Sequence, residues 1–204
     1  MARHKNYGSN TSFLDLLFNA LLAFVAFFVL SLMLITEKKD SETKVIKNIE
    51  FMVTVSWPFE FDDDIDTYVV DPLNNITCFN RREDGLMHLD RDDIGNANDT
   101  ITLPNGKKIQ YKENREIVSI RGIVQGEYIV NVHAYAKRSA GKPVPVNIKL
   151  EKMNPYKLVV FKDIELKEAG QEETIFRFGI DKDGNVSYVT DGPQRKLTAK
   201  KVVP

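Results

Sequence analysis

The pattern of hydrophobic and polar positions divides the chain into two unlike parts. Between Leu16 and Ile35, 18 of 20 residues are apolar, the exceptions being Asn19 and Ser31. The uncharged run from Leu16 to Thr36, at 1.5 Å per residue, is about 31 Å long, which is the thickness of the hydrocarbon core of a bilayer. We therefore predict a single transmembrane helix over residues 12–36.

After Asn48 the pattern changes to short alternating runs, rich in β-branched residues and separated by turn residues, which is typical of β-strands. The ten predicted strands are residues 49–57, 66–70, 76–79, 86–90, 116–123, 127–136, 144–153, 158–166, 174–180 and 186–190. A parallel sheet needs crossover helices, and no run has a helical period there. The predicted fold class is a single N-terminal transmembrane α-helix plus an all-β antiparallel sandwich.

The flanking residues complete the predicted organisation. Residues 1–11 form a short cytoplasmic N-terminus, 37–48 a polar stalk, 49–190 an extracytoplasmic β-sandwich and 191–204 a basic, solvated tail. Charged residues follow the apolar run where a cleaved signal peptide would have small ones, so we predict an uncleaved signal anchor. Positive charge precedes the span and the charges after it cancel, which places the N-terminus in the cytoplasm.

Charge and motifs exclude several classes of function. The 28 Lys and Arg residues balance 29 Asp and Glu, so there is no basic excess for a nucleic-acid backbone. The chain has no Gly-x-Ser-x-Gly motif, phosphate-binding loop or Cys-His pair, and we expect it not to be an enzyme. Its one cysteine, Cys78, is predicted to be a small buried hydrophobic residue.

The residue that suggests chemistry in the span is Asp15. In one interpretation Ser12 caps the helix and Asp15 is the third-position carboxylate of a capping box. In the other, Asp15 lies inside the apolar boundary, where an ionised carboxylate costs about 2.5–3.5 kcal/mol and such residues usually face a partner or an ion path. Asn19, four residues later, would lie on the same helix face. The residues alone leave both interpretations open.

The segment Asn10-Thr11-Ser12-Phe13-Leu14-Asp15-Leu16-Leu17-Phe18-Asn19-Ala20-Leu21-Leu22-Ala23-Phe24 resembles the single span of the MotB, ExbD and TolR family. The resemblance implies that Asp15 carries a proton or a sodium ion, and Asn19 would support it. It also implies a homodimer inside a pentamer of MotA-, ExbB- or TolQ-like subunits in a bacterial inner membrane, where ion flow turns the ring. The sandwich would then project into the periplasm or outside the cell and transmit motion to a target, including in phage defence of the ZorB-like kind.

The part of the chain after the span does not follow that family. MotB, ExbD and TolR carry α/β outer domains, and no alternation of helix and strand occurs here. The target of the outer domain is therefore open. A different class of function is a passive single-pass anchor that presents a ligand-binding or adhesive β-sandwich.

Two acidic segments of the sandwich are candidates for a calcium site, with Asp62, Asp64, Asp66, Asp90 and Asp92 as ligands. The sequence from Asp64 to Pro72, followed by Leu89-Asp90-Arg91-Asp92, is similar to a bacterial β-sandwich family of secreted and surface proteins. In that arrangement the two acidic loops meet and offer oxygen ligands to calcium. The spacing is not that of an EF-hand. The alternative is a solvated acidic loop that protects a sheet edge.

Overall fold

The structure is a computed structural model that describes residues 8–36, 48–139 and 141–198. The chain divides into two compact units at residues 46 and 47, a helical one and a β-rich one. Most of the predicted cytoplasmic segment and of the predicted stalk lies outside the described residues.

The helical unit is α1, Gly8–Thr36. Its stretch Thr11–Leu32 is long and apolar enough to cross a membrane, and all of its side chains are exposed in the isolated chain. The interpretation in which Ser12 caps the helix is wrong, since α1 begins at Gly8 and no acidic residue lies in its first turn. Ser12 and Asp15 instead have helical turns on both sides, where backbone N–H groups are bonded within the helix.

The described residues of the β-rich unit form thirteen strands. They are β1 (Phe51–Trp57), β2 (Asp64–Val70), β3 (Ile76–Thr77), β4 (Glu83–Asp84), β5 (Met87–Arg91), β6 (Thr100–Thr102), β7 (Lys108–Gln110), β8 (Asn114–Ile120), β9 (Gly126–Ala136), β10 (Val144–Met153), β11 (Tyr156–Leu166), β12 (Glu172–Ile180) and β13 (Val186–Thr190). Each of the ten predicted strands overlaps one of these. The sequence did not predict β4, β6 and β7, which have only two or three residues each.

The strands form two sheets and a separate hairpin. The six-stranded sheet has the order β11-β10-β1-β8-β5-β4, the five-stranded sheet has the order β13-β12-β9-β2-β3, and β6 pairs with β7 alone. Every strand pair is antiparallel. The predicted fold class, one apolar helix followed by an all-β antiparallel domain, is confirmed.

The core lies between the two sheets and follows from the alternation in each strand. In β1 the side chains of Phe51, Val53 and Val55 are buried, and those between them are half-buried. Phe51 contacts Phe178 of β12 with ring centroids 6.1 Å apart, which joins the sheets. Each large apolar side chain buried in this way stabilises the fold by about 1.5–3 kcal/mol.

Residues 191–198, predicted as part of a basic and solvated tail, are mostly exposed, but one residue among them docks on the sandwich. Leu197 is 2% exposed and packs in a second apolar cluster with Tyr68, Cys78 and Ile129. This cluster confirms that Cys78 is a small buried residue. The N–H of Leu197 donates to a carboxylate oxygen of Glu172, 2.6 Å away. One leucine and a set of polar groups on the five-stranded sheet therefore fix a segment whose lysine and arginine side chains reach solvent.

Candidate functional site

Asp15 is the one ionisable residue between Gly8 and Thr36, and it lies two turns into α1. Within the stretch that can cross a membrane, it is four residues, or about 6 Å, from Thr11. Asn19 follows one helical turn later on the same face, and both side chains are exposed. The helix thus carries a carboxylate and an amide on one face, and the residues after Asn19 are apolar as far as Ser31.

A second group of acids lies in the sandwich. One carboxylate oxygen each of Asp66, Asp92 and Glu116 lies within 4.8 Å of the other two, and we call this group the carboxylate cluster. Asp66 comes from β2 of the five-stranded sheet, Glu116 from β8 of the six-stranded sheet, and Asp92 directly follows β5. The cluster therefore forms where the two sheets approach each other.

Glu116 is the most deeply buried member of the carboxylate cluster, with 1% of its surface exposed. Its Oε2 accepts a hydrogen bond from the backbone N–H of Thr67. Its Oε1 is buried and has no hydrogen-bond partner among the described residues. Burial, together with the negative charges of Asp66 and Asp92, raises the pKa of Glu116 well above its ordinary value, against the effect of the Thr67 hydrogen bond. A cation beside Glu116 would offset both costs.

The pKa values of the neighbouring Asp66 and Asp64 are also raised. Burial raises the pKa of Asp66, although Nδ1 of His133 lies 3.4 Å from its Oδ2 and acts in the opposite direction. Burial and the charge of Asp66 raise the pKa of Asp64 to about 6, against the guanidinium of Arg138, which is 3.5 Å from Asp64 Oδ2. Burial thus raises the pKa of both aspartates, although each has a basic side chain beside it.

A cavity of about 160 Å³ opens onto this group, and we call it the acidic cavity. Its lining residues are Asp64, Asp66, Phe79, Asp92, Ile94 and Tyr135. The rings of Phe79 and Tyr135 lie 5.8 Å apart between centroids and are tilted by 46°. Three carboxylates and two aromatic rings therefore share one small opening.

The structure brings together three of the five predicted calcium ligands. Asp66 and Asp92 belong to the carboxylate cluster, and Asp64 lines the acidic cavity. Asp62 instead precedes β2, and its Oδ1 accepts a hydrogen bond from the N–H of Asn96. Asp90 pairs with Arg121, because a register shift in β5 between Leu89 and Arg91 turns it away.

Glu116 is the member of the cluster that the sequence did not predict. It alternates with Val118 and Ile120, two buried residues of β8, so the period-two pattern places its side chain on the inward face. This alternation could have identified Glu116 as an inward-facing residue. It was not used because glutamate side chains are usually exposed.

The residues of the carboxylate cluster fit a calcium ion by their chemistry. Calcium takes six to eight oxygen ligands, and Asp66, Asp92 and Glu116 would each supply at least one. The unpartnered Oε1 of Glu116 is the observation that favours a cation over a closed network of hydrogen bonds. Bound calcium would add positive charge beside these three acids.

Comparisons with known proteins do not identify the chain. No known family matches it, and no curated protein is significantly similar to it. A solved structure described as a protein of unknown function, SAV2460, is similar over 72% of this chain and 89% of its own length, with 15% sequence identity and a TM-score of 0.44. A likeness at that level carries no functional conclusion.

Proposed function

We propose that this chain is the ion-carrying subunit of a proton- or sodium-driven motor in a bacterial inner membrane. Two copies would sit inside a pentamer of MotA-, ExbB- or TolQ-like subunits, with the β-sandwich on the side opposite the cytoplasm. The observation that carries the proposal is the position of Asp15, two turns into an exposed apolar helix that has no other ionisable residue from Gly8 to Thr36.

The physical argument is that this carboxylate needs a partner. An ionised acid at membrane depth costs a few kcal/mol unless a polar group or water faces it. Protonation removes that cost and lets the helix face move past apolar surfaces, so gain and loss of an ion at Asp15 are coupled to movement. Each charge that crosses the membrane releases about 2.3 kcal/mol per 100 mV. The other wall of the path would come from the surrounding subunits.

The test uses the complex purified from its native membrane with its partner subunits and reconstituted in vesicles. We expect a pH-sensitive or sodium-sensitive dye to report ion entry driven by a membrane potential. Asp15→Asn should abolish this entry and leave the subunit composition unchanged, because the amide keeps the shape of the carboxylate and cannot bind and release an ion. Native mass spectrometry of the same preparation counts the subunits.

The matched control exchanges Ser31 for alanine, which alters a polar residue at the other end of the same span. We expect Ser31→Ala to conduct normally. Full ion entry in Asp15→Asn, or a complex that contains no multi-span partner, contradicts the proposal. A span shuffled at constant hydrophobicity that remains fully active would show that the helix is only an anchor.

The carboxylate cluster favours a second function, that of an anchored β-sandwich that binds calcium. Its support is independent of Asp15, because it is the buried and unpartnered oxygen of Glu116 beside Asp66 and Asp92. We expect calcium to raise the unfolding temperature of the sandwich and magnesium to do so much less, since magnesium demands a stricter geometry. No shift at millimolar calcium would rule out this function.

A further inference from the structure

We propose that a cavity between the edge strands β11 and β13 binds an organic anion whose charged head is attached to an apolar chain. Fatty acids and anionic phospholipids share this chemistry. The inference concerns the sandwich alone, so it depends on neither the motor function nor the calcium site. It rests on two lysines that the sheet places opposite each other and on the apolar wall beside them.

This cavity, which we call the edge cavity, lies at the open side of the sandwich. β11 is the last strand of the six-stranded sheet and β13 is the last strand of the five-stranded sheet, so each has a neighbouring strand on one side only. The volume is about 410 Å³, within the roughly 300–1,000 Å³ typical of ligand pockets. Its lining includes Lys152, Pro155, Lys157, Val159, Val186 and Tyr188.

The two lysines of the edge cavity are cross-strand neighbours. Lys152 on β10 is directly opposite Lys157 on β11 in the antiparallel pair, and both line the cavity. Side chains in this position lie on the same face with their Cβ atoms about 4.5–5.5 Å apart, and like charges there are destabilising. An anion that contacts both ammonium groups would offset this repulsion. The pair therefore favours an anionic ligand.

The described residues offer these lysines no acid as an ion-pair partner. Neither Lys152 nor Lys157 forms a salt bridge with a described Asp or Glu. Nζ of Lys152 donates to two neutral oxygens, the carbonyl of Gly184 at 2.8 Å and Oδ1 of Asn185 at 3.2 Å. An ammonium group has three N–H donors, so one remains for a ligand. The wall thus holds the Lys152 ammonium in place without neutralising it.

The rest of the wall suits an apolar chain. Val159 of β11 faces the edge cavity together with Val186 and Tyr188 of β13. The ring of Tyr188 lies against Gly179 of β12, where a Cβ would come within 2.3 Å of the ring carbon Cε1. Its hydroxyl donates to Oε2 of Glu127, 3.1 Å away, so the ring is held from two sides. An alkyl chain packed on this wall leaves water, and an inorganic anion lacks that gain.

The test is titration calorimetry of the full-length protein in nanodiscs of neutral lipid, with empty nanodiscs titrated in parallel. The probes are octanoate, acetate and octylammonium. We expect octanoate to bind more tightly than acetate, which lacks the chain. Octylammonium has the same chain with the opposite charge and should not bind.

Native mass spectrometry distinguishes the two sources of the anion. The protein is reconstituted with equal amounts of phosphatidylglycerol and phosphatidylcholine and is then released from the nanodisc. Phosphatidylglycerol that is retained by the wild type and lost from Lys157→Gln identifies a membrane lipid as the ligand. A wild-type protein that is released without lipid and still binds octanoate identifies a free carboxylic acid.

Variants separate the charge from the apolar wall. Lys157→Gln removes the charge of an exposed side chain and should lower the affinity for octanoate about tenfold. Val159→Thr keeps the shape of the side chain, adds a hydroxyl and should lower the affinity several-fold. The matched control is Lys149→Gln, a lysine of β10 outside the edge cavity, which should bind octanoate normally.

Three results would each overturn the proposal. They are no binding of octanoate at millimolar concentration, binding of octylammonium as tight as that of octanoate, and normal binding of octanoate by Lys157→Gln.

Discussion

The carboxylate of Glu116 on β8 accepts a hydrogen bond from the backbone N–H of Thr67 on β2, and so joins the two sheets of the sandwich. β3 pairs with β2 only at Val69 and Val70, so the earlier part of this sheet edge lacks a neighbouring strand. At Thr67, the Glu116 carboxylate accepts the backbone hydrogen bond that a neighbouring strand would otherwise accept. The same side chain then leaves its second oxygen for the carboxylate cluster.

Glu116→Gln should stabilise the sandwich in the absence of divalent cations. The pKa of Glu116 is raised, so its folded environment favours the neutral form, and the glutamine carbonyl can still accept from Thr67. We expect a gain of about 1–2 kcal/mol in the free energy of unfolding at pH 8, measured by urea titration with a chelator present. The same variant should lose most of any stabilisation by calcium.

Asp90→Asn is the matched control for that experiment. Asp90 was predicted as a calcium ligand, but it is paired with Arg121 outside the carboxylate cluster. The stabilisation by calcium should therefore stay unchanged in this variant. An equal loss in Asp90→Asn and Glu116→Gln would show that the cation binds somewhere else.

Asp63 should make folding stability depend on pH in the acid range. Burial acts to raise the pKa of Asp63, but hydrogen bonds from Ser139 and from the backbone of Arg138 outweigh it and hold the pKa below its ordinary value. A carboxylate with a lowered pKa contributes stability that is present above about pH 4 and is lost as the pH falls through its folded-state pKa. Asp63→Asn should thus cost about 2–4 kcal/mol at pH 7 and much less below pH 3.

The measurement is the free energy of unfolding of the wild type and the variant at a series of pH values. Asp183→Asn serves as the control, because Asp183 is exposed in a turn and should give a small difference at every pH. A difference between Asp63→Asn and the wild type that stays constant from neutral to acid pH would contradict the assignment.

Leu197→Ala should loosen the C-terminal segment from the five-stranded sheet. Removing a buried leucine side chain costs about 2–5 kcal/mol, and here it opens the cluster that covers Cys78. Because Cys78 is the one cysteine of the chain, its reaction with a thiol reagent reports this opening directly. We expect faster labelling in Leu197→Ala and an unchanged rate in Leu73→Ala, since Leu73 is 67% exposed.

Asn19→Ala should slow ion entry through the proposed motor without stopping it. The amide lies one turn from Asp15 and can only assist the carboxylate, because it does not titrate. In the vesicle assay we therefore expect a rate between those of the wild type and Asp15→Asn. A rate equal to that of Asp15→Asn would mean that Asn19 is as essential as the acid.

The sequence predicted most of the fold because strand residues alternate strictly wherever one face is buried. The run Phe51, Val53 and Val55 is an example, and its inward side chains are those that meet the opposite sheet. The short strands β6 and β7 were missed because all of their side chains are exposed, so burial imposes no alternation on them. The docking of Leu197 was missed because Leu197 packs against residues more than 60 positions away in the sequence, such as Ile129.

The carboxylate cluster was predicted only in part, for a related reason. Asp66 and Asp92 were identified from the local density of acids, which the sequence shows directly. Asp90 was included because it belongs to the same acidic segment as Asp92, and the sequence does not reveal the register shift in β5. Glu116 is brought to the cluster by the packing of two sheets, which no local pattern records.

The position of β1 between β8 and β10 determines when the six-stranded sheet can form during synthesis. β1 pairs with β8 on one side and with β10 on the other. Phe51 therefore cannot pair with Lys152 until Lys152 has been synthesised. During synthesis the helix is complete long before the ribosome has made these partner strands, and long-range pairing of this kind is slow. In the proposed membrane-anchored state, the nascent chain is therefore held by its helix while the sandwich is still unfolded, so that folding begins on a tethered chain.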